Sequence, residues 1–583
     1  MVAGHRIRAL IPEIRSGLQG PERLAYTHFP NGGPEHERRA RPSLPLSRSG
    51  RRRPARSPRR DQGGHRRRAR AGGAGLRGHG TGRPAPGRPA ARGRRPRDAR
   101  RHSRSPPPSG CRPGGPVADQ RPRHRAFRRS GARAQPGGRR GRDRRRGGVQ
   151  HRHRRDGRAG GFRRRSTRRR AAWRPDVRRR VAMTGAGVIS AIGASARETW
   201  EGLVAGRVGI GPVTLFDVAE QRTKTAAQIR IPDGDLLPRG VLQEKERRRA
   251  SRADLLGLRA ALEALADAGL DARRLERERA AVLLGGGGAL LEGEAFLAAS
   301  LRGAVPRPSA ALGFFPASTA DLIASHLGFR GEAQTLLTAC SSATLAIGLG
   351  AARIAHAEQS VVLAGGVETL SRTTYAGFNA LRLVDPDPCR PFDRERRGLS
   401  LGECAAVLVL EDLEAARARG ARVYAEVAGC GMAADAHHAT APDPDGEGMA
   451  RAARAALRAA GIDAARVDHV NAHGTGTAQN DRAETRALRS VLGARADRVP
   501  VVSIKGMVGH CLGAAGAIEA FAAALSIREG IVPPTAGLRT HDPECDLDYV
   551  PGAARRLSVG VALSSSLAFG GNNGVLVLKD PQA

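Results

Sequence analysis

The feature that most limits what this chain can fold into is a break in composition near residue 177. Through residue 180 there are 55 arginines, no lysine and 10 acidic residues, a surplus of 45 positive charges. The remaining 403 residues hold 44 basic and 45 acidic side chains, so the formal charge of +44 belongs to one segment. A near-neutral body has no global field to hold a polyanion, which excludes reading the whole chain as a nucleic-acid binder.

From Arg38 to Arg170 the sequence is mostly Arg, Gly, Pro and Ala, with tracts such as Arg51-Arg52-Arg53 and Arg168-Arg169-Arg170. No apolar period persists, and a self-repelling segment this poor in aliphatic residues cannot bury enough surface to offset its chain entropy, so residues 1–176 are expected to be a disordered Arg/Gly/Pro-rich segment. Three readings compete for it. A nucleic-acid-binding arm has the charge but lacks interleaved aromatics, since Tyr26, Phe29, Phe127, Phe162 and Trp173 are scattered. A targeting peptide would be far shorter. The preferred reading is conceptual translation of GC-rich DNA upstream of a start near Val177 or Met183, because arginine without lysine is what such a frame yields.

Beyond residue 177 the pattern changes. The seven cysteines form no CxxC pair, which suggests neither a disulfide framework nor a zinc knuckle and fits a reduced, cytoplasmic protein. No apolar leader with a cleavage site is present, and the longest uncharged run, 335–352, carries Thr, Ser and Cys at one end and reads as a buried helix and not a membrane span. Strand patterns at 361–364, 405–410, 470–472, 561–565 and 575–579 alternate with helical ones such as 448–460, which argues for an α/β protein with helices covering a buried sheet. Residues 180–190 read as a short strand running into a glycine-rich turn. Gly185-x-Gly187 lacks the third glycine of a dinucleotide fingerprint, so no NAD is implied, and Gly285 to Gly288 read as a close-packed turn. The strand pattern at 422–427 opens a second half.

Three residues stand out for their chemistry. Cys340 follows an apolar segment and precedes a helical pattern (Ala343, Ile347, Ala351, Ile354), which places it near a helix N-terminus, where unpaired N–H groups and the macrodipole favour a thiolate. Spacing alone leaves a nucleophile and a small buried hydrophobe as equal readings. His473 opens the loop His473-Gly474-Thr475-Gly476-Thr477, where backbone can approach a ligand closely. His510 sits with Lys505 and Glu519 at the entry to a helix of small residues. No carboxylate or second histidine stands at i+3 or i+4 to either histidine, so no metal site is expected.

Together, Thr338-Ala339-Cys340-Ser341-Ser342, the His473 loop, Lys505-x4-His510-x2-Gly513-Ala514-Ala515-Gly516 and Phe569-Gly570-Gly571-Asn572-Asn573 resemble the β-ketoacyl-acyl carrier protein synthases of the Cys-His-His class, over about residues 178 to 581. Val213 to Asp217, Gly365 to Glu368 and Arg390 to Asp393 add to the resemblance. It implies a thiolase fold, two similar halves (177–421 and 422–583) stacked α-β-α-β-α, and an acyltransferase that performs a decarboxylative Claisen condensation. Cys340 would carry the acyl chain, and His473 and His510 would donate hydrogen bonds to the malonyl thioester oxygen. Lys505 and Glu519 would support the histidines, and the N–H groups of Cys340 and Phe569 would form the oxyanion hole. The implied partner is an acyl carrier protein, whose phosphopantetheine arm brings the substrate, so this chain binds no cofactor of its own. A homodimer is implied, with a heterodimer as the alternative.

Departures from the family pattern cluster near the site. Leu567-Ala568 replace Phe-Gly ahead of Phe569, which removes a commonly gating phenylalanine; Gly506-Met507-Val508 stand where Ser-Met-Thr is common, and Cys404 and Cys511 are atypical. Phe296, Phe378 and Leu567 are the expected lining of the acyl pocket, and Lys245 to Arg249 are the expected docking residues for an acidic carrier. No further synthase domain follows Ala583, so a discrete condensing enzyme of fatty-acid or polyketide-type synthesis is expected. The rivals are a non-catalytic chain-length partner, which typically lacks the nucleophile, and a nucleic-acid-binding protein led by the arginine-rich arm. A thiolase would need a second catalytic cysteine, and Cys545 lies in the acidic context Asp542-Pro543-Glu544-Cys545-Asp546.

Overall fold

The computed structural model describes residues 178–582 except 289, 307, 309–310, 312–314 and 316–317, so the readings made for residues 1–176 lie outside it. Ten strands carry the architecture: β1 (Val181–Ser190), β2 (Ala280–Gly285), β3 (Ala333–Leu336), β4 (Val361–Glu368), β5 (Cys404–Asp412), β6 (Ala425–Ala434), β7 (His469–Asn471), β8 (Val501–Val502), β9 (Val561–Ala568) and β10 (Asn572–Lys579). The first five stand in the order β3-β2-β4-β5-β1 and the second five in the matching order β8-β7-β9-β10-β6. Within each set the outer strands run parallel and the fifth strand turns antiparallel against its neighbours. The sets meet edge to edge where Ala182 and Met183 of β1 pair with Glu426 and Ala425 of β6.

Helices fill the layers between and outside these strands. The main ones are α1 (Arg252–Asp267), α2 (Ser318–Leu327), α3 (Ser342–Ala355), α4 (Arg372–Ala380), α5 (Glu447–Ala460), α6 (Ala478–Leu492) and α7 (Ala515–Glu529). Helices α3 and α7 touch strands of both sets and so form the central layer, while α1 and α2 cover one outer face and α5 and α6 the other. This is the α-β-α-β-α stacking that the resemblance implies.

Each helix has a local reason. Ser251 caps α1 in a reciprocal box with Asp254, satisfying two otherwise orphaned N–H groups. In α5 the buried Met449, Ala452, Ala453, Ala456 and Leu457 follow the i, i+3, i+4, i+7 stripe of a surface helix. In α7 every residue from Ala515 to Ile527 is buried, and all but Glu519 are apolar or small, as expected of a helix packed on every side.

Several sequence expectations need correction. Gly185 and Gly187 lie inside the continuous strand β1 and form no turn: a β-carbon on Gly187 would fall 1.9 Å from the Ala260 carbonyl oxygen, so these glycines let α1 press against the strand. The run 335–352 is the end of β3, a turn and most of α3, because Ala339 adopts a left-handed φ of 52° that no helix continues through. The second half's first strand begins at Ala425 and not at 422. Of Gly285 to Gly288, Gly285 still belongs to β2 and the chain bends at Gly286; the close packing is present, the Gly285 β-carbon position lying 2.3 Å from the Ala343 nitrogen.

Candidate active site

Cys340 sits between β3 and α3, immediately before Ser341, in a turn strained at Ala339. Hydroxyls hold that turn: Ser341 Oγ donates to the Thr338 carbonyl (2.9 Å), and Ser342 Oγ donates to the Ala339 carbonyl (2.6 Å) while accepting the Thr338 N–H (2.9 Å). A left-handed non-glycine residue costs about 1–2 kcal/mol, and these bonds fix it in place. The cysteine is 5% exposed.

The two histidines arrive from the other half. His473 follows β7 and His510 follows a single helical turn, Lys505–Val508. His510 Nε2 lies 3.1 Å from Cys340 Sγ, and the two imidazoles meet edge to face with centroids 5.1 Å apart. Lys505 Nζ donates to the His473 carbonyl (2.5 Å) and lies 3.4 Å from His473 Nδ1, and it forms a buried ion pair with Glu519. The Leu512 N–H donates to His510 Nδ1 (3.3 Å). With Nδ1 accepting in both rings, Nε2 carries the proton in both, so two N–H donors flank the sulfur.

Electrostatics agree with that assignment. Burial, reinforced by the Lys505 cation, holds both histidines well below the usual imidazole range, so they stay neutral. Burial pushes the Cys340 thiol up to about 11, against the pull of Lys505 and of the Phe569 N–H. The sequence reading of a dipole-stabilised thiolate is therefore corrected: desolvation outweighs the helix terminus, and the resting form is the thiol. The Cys340, His473 and His510 ligand atoms lie within 4.8 Å of one another, a cluster that chain spacing does not reveal and that could in geometry hold a metal ion. The protonated thiol and the neighbouring ammonium both oppose a cation there.

Other supports escaped the sequence reading. Glu484, on α6, accepts the N–H groups of His473 and Gly474 (2.7 Å each) and the Ser565 hydroxyl (2.8 Å), which fixes the His473 loop. Burial lifts this carboxyl to about 7. Its signal was a second carboxylate three residues after Asp481, on one helix face. Glu368 and Ser566 also reach the site's framework, Ser566 Oγ lying 2.7 Å from Thr344 Oγ1 and 3.4 Å from Glu519 Oε2.

A cavity of about 360 Å³ opens over Cys340, His473 and His510. Phe378, Leu567, Ala568 and Phe569 give it an apolar wall, with the Phe378 and Phe569 rings stacked at 5.5 Å, while Thr475 and Thr477 line a polar side. Phe296 does not border it, and Cys545 is buried elsewhere, its thiol pushed up to about 12. At 244–249, Arg247 is tied to the carbonyls of Gly234 and Leu237 and Arg248 pairs with Glu244, while Lys245, Arg248 and Arg249 are exposed.

Comparison with known proteins shows the family to which the chain is similar. The family model described as Beta-ketoacyl synthase, N-terminal domain, matches residues 178–416, and that described as Beta-ketoacyl synthase, C-terminal domain, matches 424–539. The chain is 39% identical over 415 residues to 3-oxoacyl-acyl-carrier-protein synthase 2 of Synechocystis sp., covering 70% of this chain and 99% of that protein. Among solved structures it is similar to the ishigamide ketosynthase/chain length factor, at 37% identity and a TM-score of 0.65, covering 69% of this chain and 99% of that one. It is also similar to a type II polyketide acyl-carrier protein complex with its ketosynthase, at 30% identity and a TM-score of 0.63 with the same coverage of both chains.

Proposed function

The chain belongs to the β-ketoacyl synthase family, and we propose on that footing that it extends carrier-bound acyl chains by decarboxylative Claisen condensation in fatty-acid or polyketide-type synthesis. The observation that carries this reading is the buried thiol of Cys340 flanked by two neutral histidines whose Nδ1 atoms are both engaged, leaving two Nε2–H donors beside one sulfur.

In the first step the Cys340 sulfur attacks the acyl thioester of a carrier-bound phosphopantetheine. The thiol proton passes to the departing pantetheine sulfur, so no base is consumed. The N–H groups of Cys340 and Phe569 stabilise the tetrahedral oxyanion. In the second step malonyl-carrier loses CO₂, and the electron pair of the broken bond forms an enolate whose oxygen accepts hydrogen bonds from His473 and His510. Neutral donors suit this task, because decarboxylation makes the carbanion and no proton is abstracted. The enolate carbon attacks the Cys340 thioester, and collapse breaks the C–S bond, releasing a chain two carbons longer and expelling the Cys340 thiolate, which takes a proton from solvent to return to the thiol.

The partner would be an acyl carrier protein, with Lys245, Arg248 and Arg249 as exposed cations for an acidic surface; Arg247 is occupied in holding its own loop. Pairing of two copies is supported by the edge strand β3, which among the described residues bonds only to β2, and by exposed Leu337 at its end. No helix among the described residues is long and apolar enough to cross a membrane.

The test is intact-mass spectrometry of the protein and of Cys340→Ala with a panel of acyl-carrier thioesters and malonyl-carrier. An acyl adduct on wild type, release of a two-carbon-longer product and neither with the variant is the expected result. Absence of any adduct overturns the catalytic reading in favour of a chain-length partner.

A further inference from the structure

We propose that Glu368 is a positioning residue for His510, fastening through one carboxylate oxygen the turn that aims the imidazole at Cys340; the inference rests on the condensing reading above. Glu368 ends β4 and is 4% exposed. Its Oε2 accepts the N–H of Gly513 at 3.0 Å and the N–H of Gly287 at 3.2 Å. Gly513 directly follows Leu512, whose own N–H is the donor that holds His510 Nδ1.

That turn needs holding. Leu512 has a left-handed φ of 43°, a conformation that a side chain with a β-carbon adopts only where its surroundings over-determine it. The surroundings are tight: a β-carbon on Gly513 would lie 2.6 Å from Gly286 Cα, 2.9 Å from the Gly286 nitrogen and 2.9 Å from the Glu368 side-chain Oε2. The His510 turn thus lies directly on the glycine loop after β2, and the same loop, at Gly285, packs against the start of the nucleophile's helix. Glu368 is the polar link between the first two of these segments. Burying a carboxyl is unfavourable unless it makes hydrogen bonds, and here it accepts two from backbone. Burial lifts it to about 7, and an oxygen is available to the two N–H groups in either protonation state. Its charge pushes the Cys340 thiol up, so its service to the site is geometric and not activation of the sulfur.

The test compares Glu368→Gln, whose amide oxygen can take both N–H groups, with Glu368→Met, of similar length and without an acceptor, in the full chain. Hydrogen exchange of the peptide spanning 510–514 reads the clamp without substrate; separate assays follow acyl transfer to Cys340 and condensation with malonyl-carrier. Glu368→Met is expected to lose protection in that peptide and roughly tenfold or more in condensation kcat, with carrier KM unchanged, and Glu368→Gln to restore both. The proposal is overturned if Glu368→Met keeps its protection and its kcat, if Glu368→Gln falls as far as Glu368→Met, or if kcat and KM fail together with a general loss of thermal stability. Should wild type give no product, the condensing reading falls, and the exchange comparison still decides the clamp.

Discussion

Lys505 shows how one residue ties the site's chemistry to its stability. Its ammonium orients His473 and neutralises Glu519 while fully buried. Lys505→Met would leave an uncompensated buried carboxylate, and such a loss costs about 3–5 kcal/mol. Chemical denaturation should show that penalty, and Lys505→Met/Glu519→Gln should recover most of it without recovering condensation, since His473 loses its orienting donor. His469 gives a pH signature of a different kind. It is buried with Nδ1 on the Pro500 carbonyl, and burial lowers it to about 4. The unfolded chain takes up that proton near pH 6.5, so unfolding binds a proton between 6.5 and 4 and stability falls as the pH falls, by about 3 kcal/mol at full extent. Glu368 and Glu484, raised to about 7, act oppositely: the folded state keeps protons that the unfolded state releases above about 4.5, and stability falls as pH rises to 7. Urea titrations at pH 7 and 4.5 should therefore show His469→Asn gaining on wild type at the lower pH, and equal shifts for both proteins would contradict the burial argument.

Among the elements, the contact between α3 and α7 is the one on which the site turns, because α3 begins two residues after Cys340, the proposed nucleophile, and α7 carries Glu519. A β-carbon on Gly516 would fall 2.0 Å from Thr344 Oγ1 and 2.7 Å from the Thr344 nitrogen. Gly516→Ala must separate the two helices or shift α3, at a cost of about 1–3 kcal/mol for overpacking. Disturbing Thr344 also disturbs its hydrogen bond to Ser566 on β9, so acyl transfer should slow along with the loss of stability, measured by adduct formation and denaturation on one preparation. The glycine pattern was readable as small-residue packing, but its partner was not, since Thr344 and Gly516 are 172 positions apart in the chain. The same limit made Gly185 and Gly187 look like a turn: glycine signals either freedom at a bend or close approach by another element, and only the position of α1 distinguishes them.

For the molecule as a whole, the charge break and the family match fall at the same place. The matched residues begin at 178. A protein of residues 178–583 should retain condensation within about twofold of the full chain, while any retention on an immobilised polyanion at low salt should disappear, because the near-neutral body lacks the counterion-release term. Activity lost with residues 1–177 would assign that segment a part in the enzyme.

The sequence by itself determined the α/β class, the families of residues around Cys340, His473 and His510, and the division of charge. Those are local properties: a period, a turn chemistry, a run of one residue type. Tertiary structure alone decided that Cys340 and His510, 170 positions apart, stand 3.1 Å from each other, that the resting sulfur is a thiol, and that Glu368 and Glu484 reach backbone N–H groups of the segments carrying His510 and His473. Desolvation depends on everything packed around a group, and a carboxylate that accepts from main-chain N–H groups leaves no partner to recognise in the sequence.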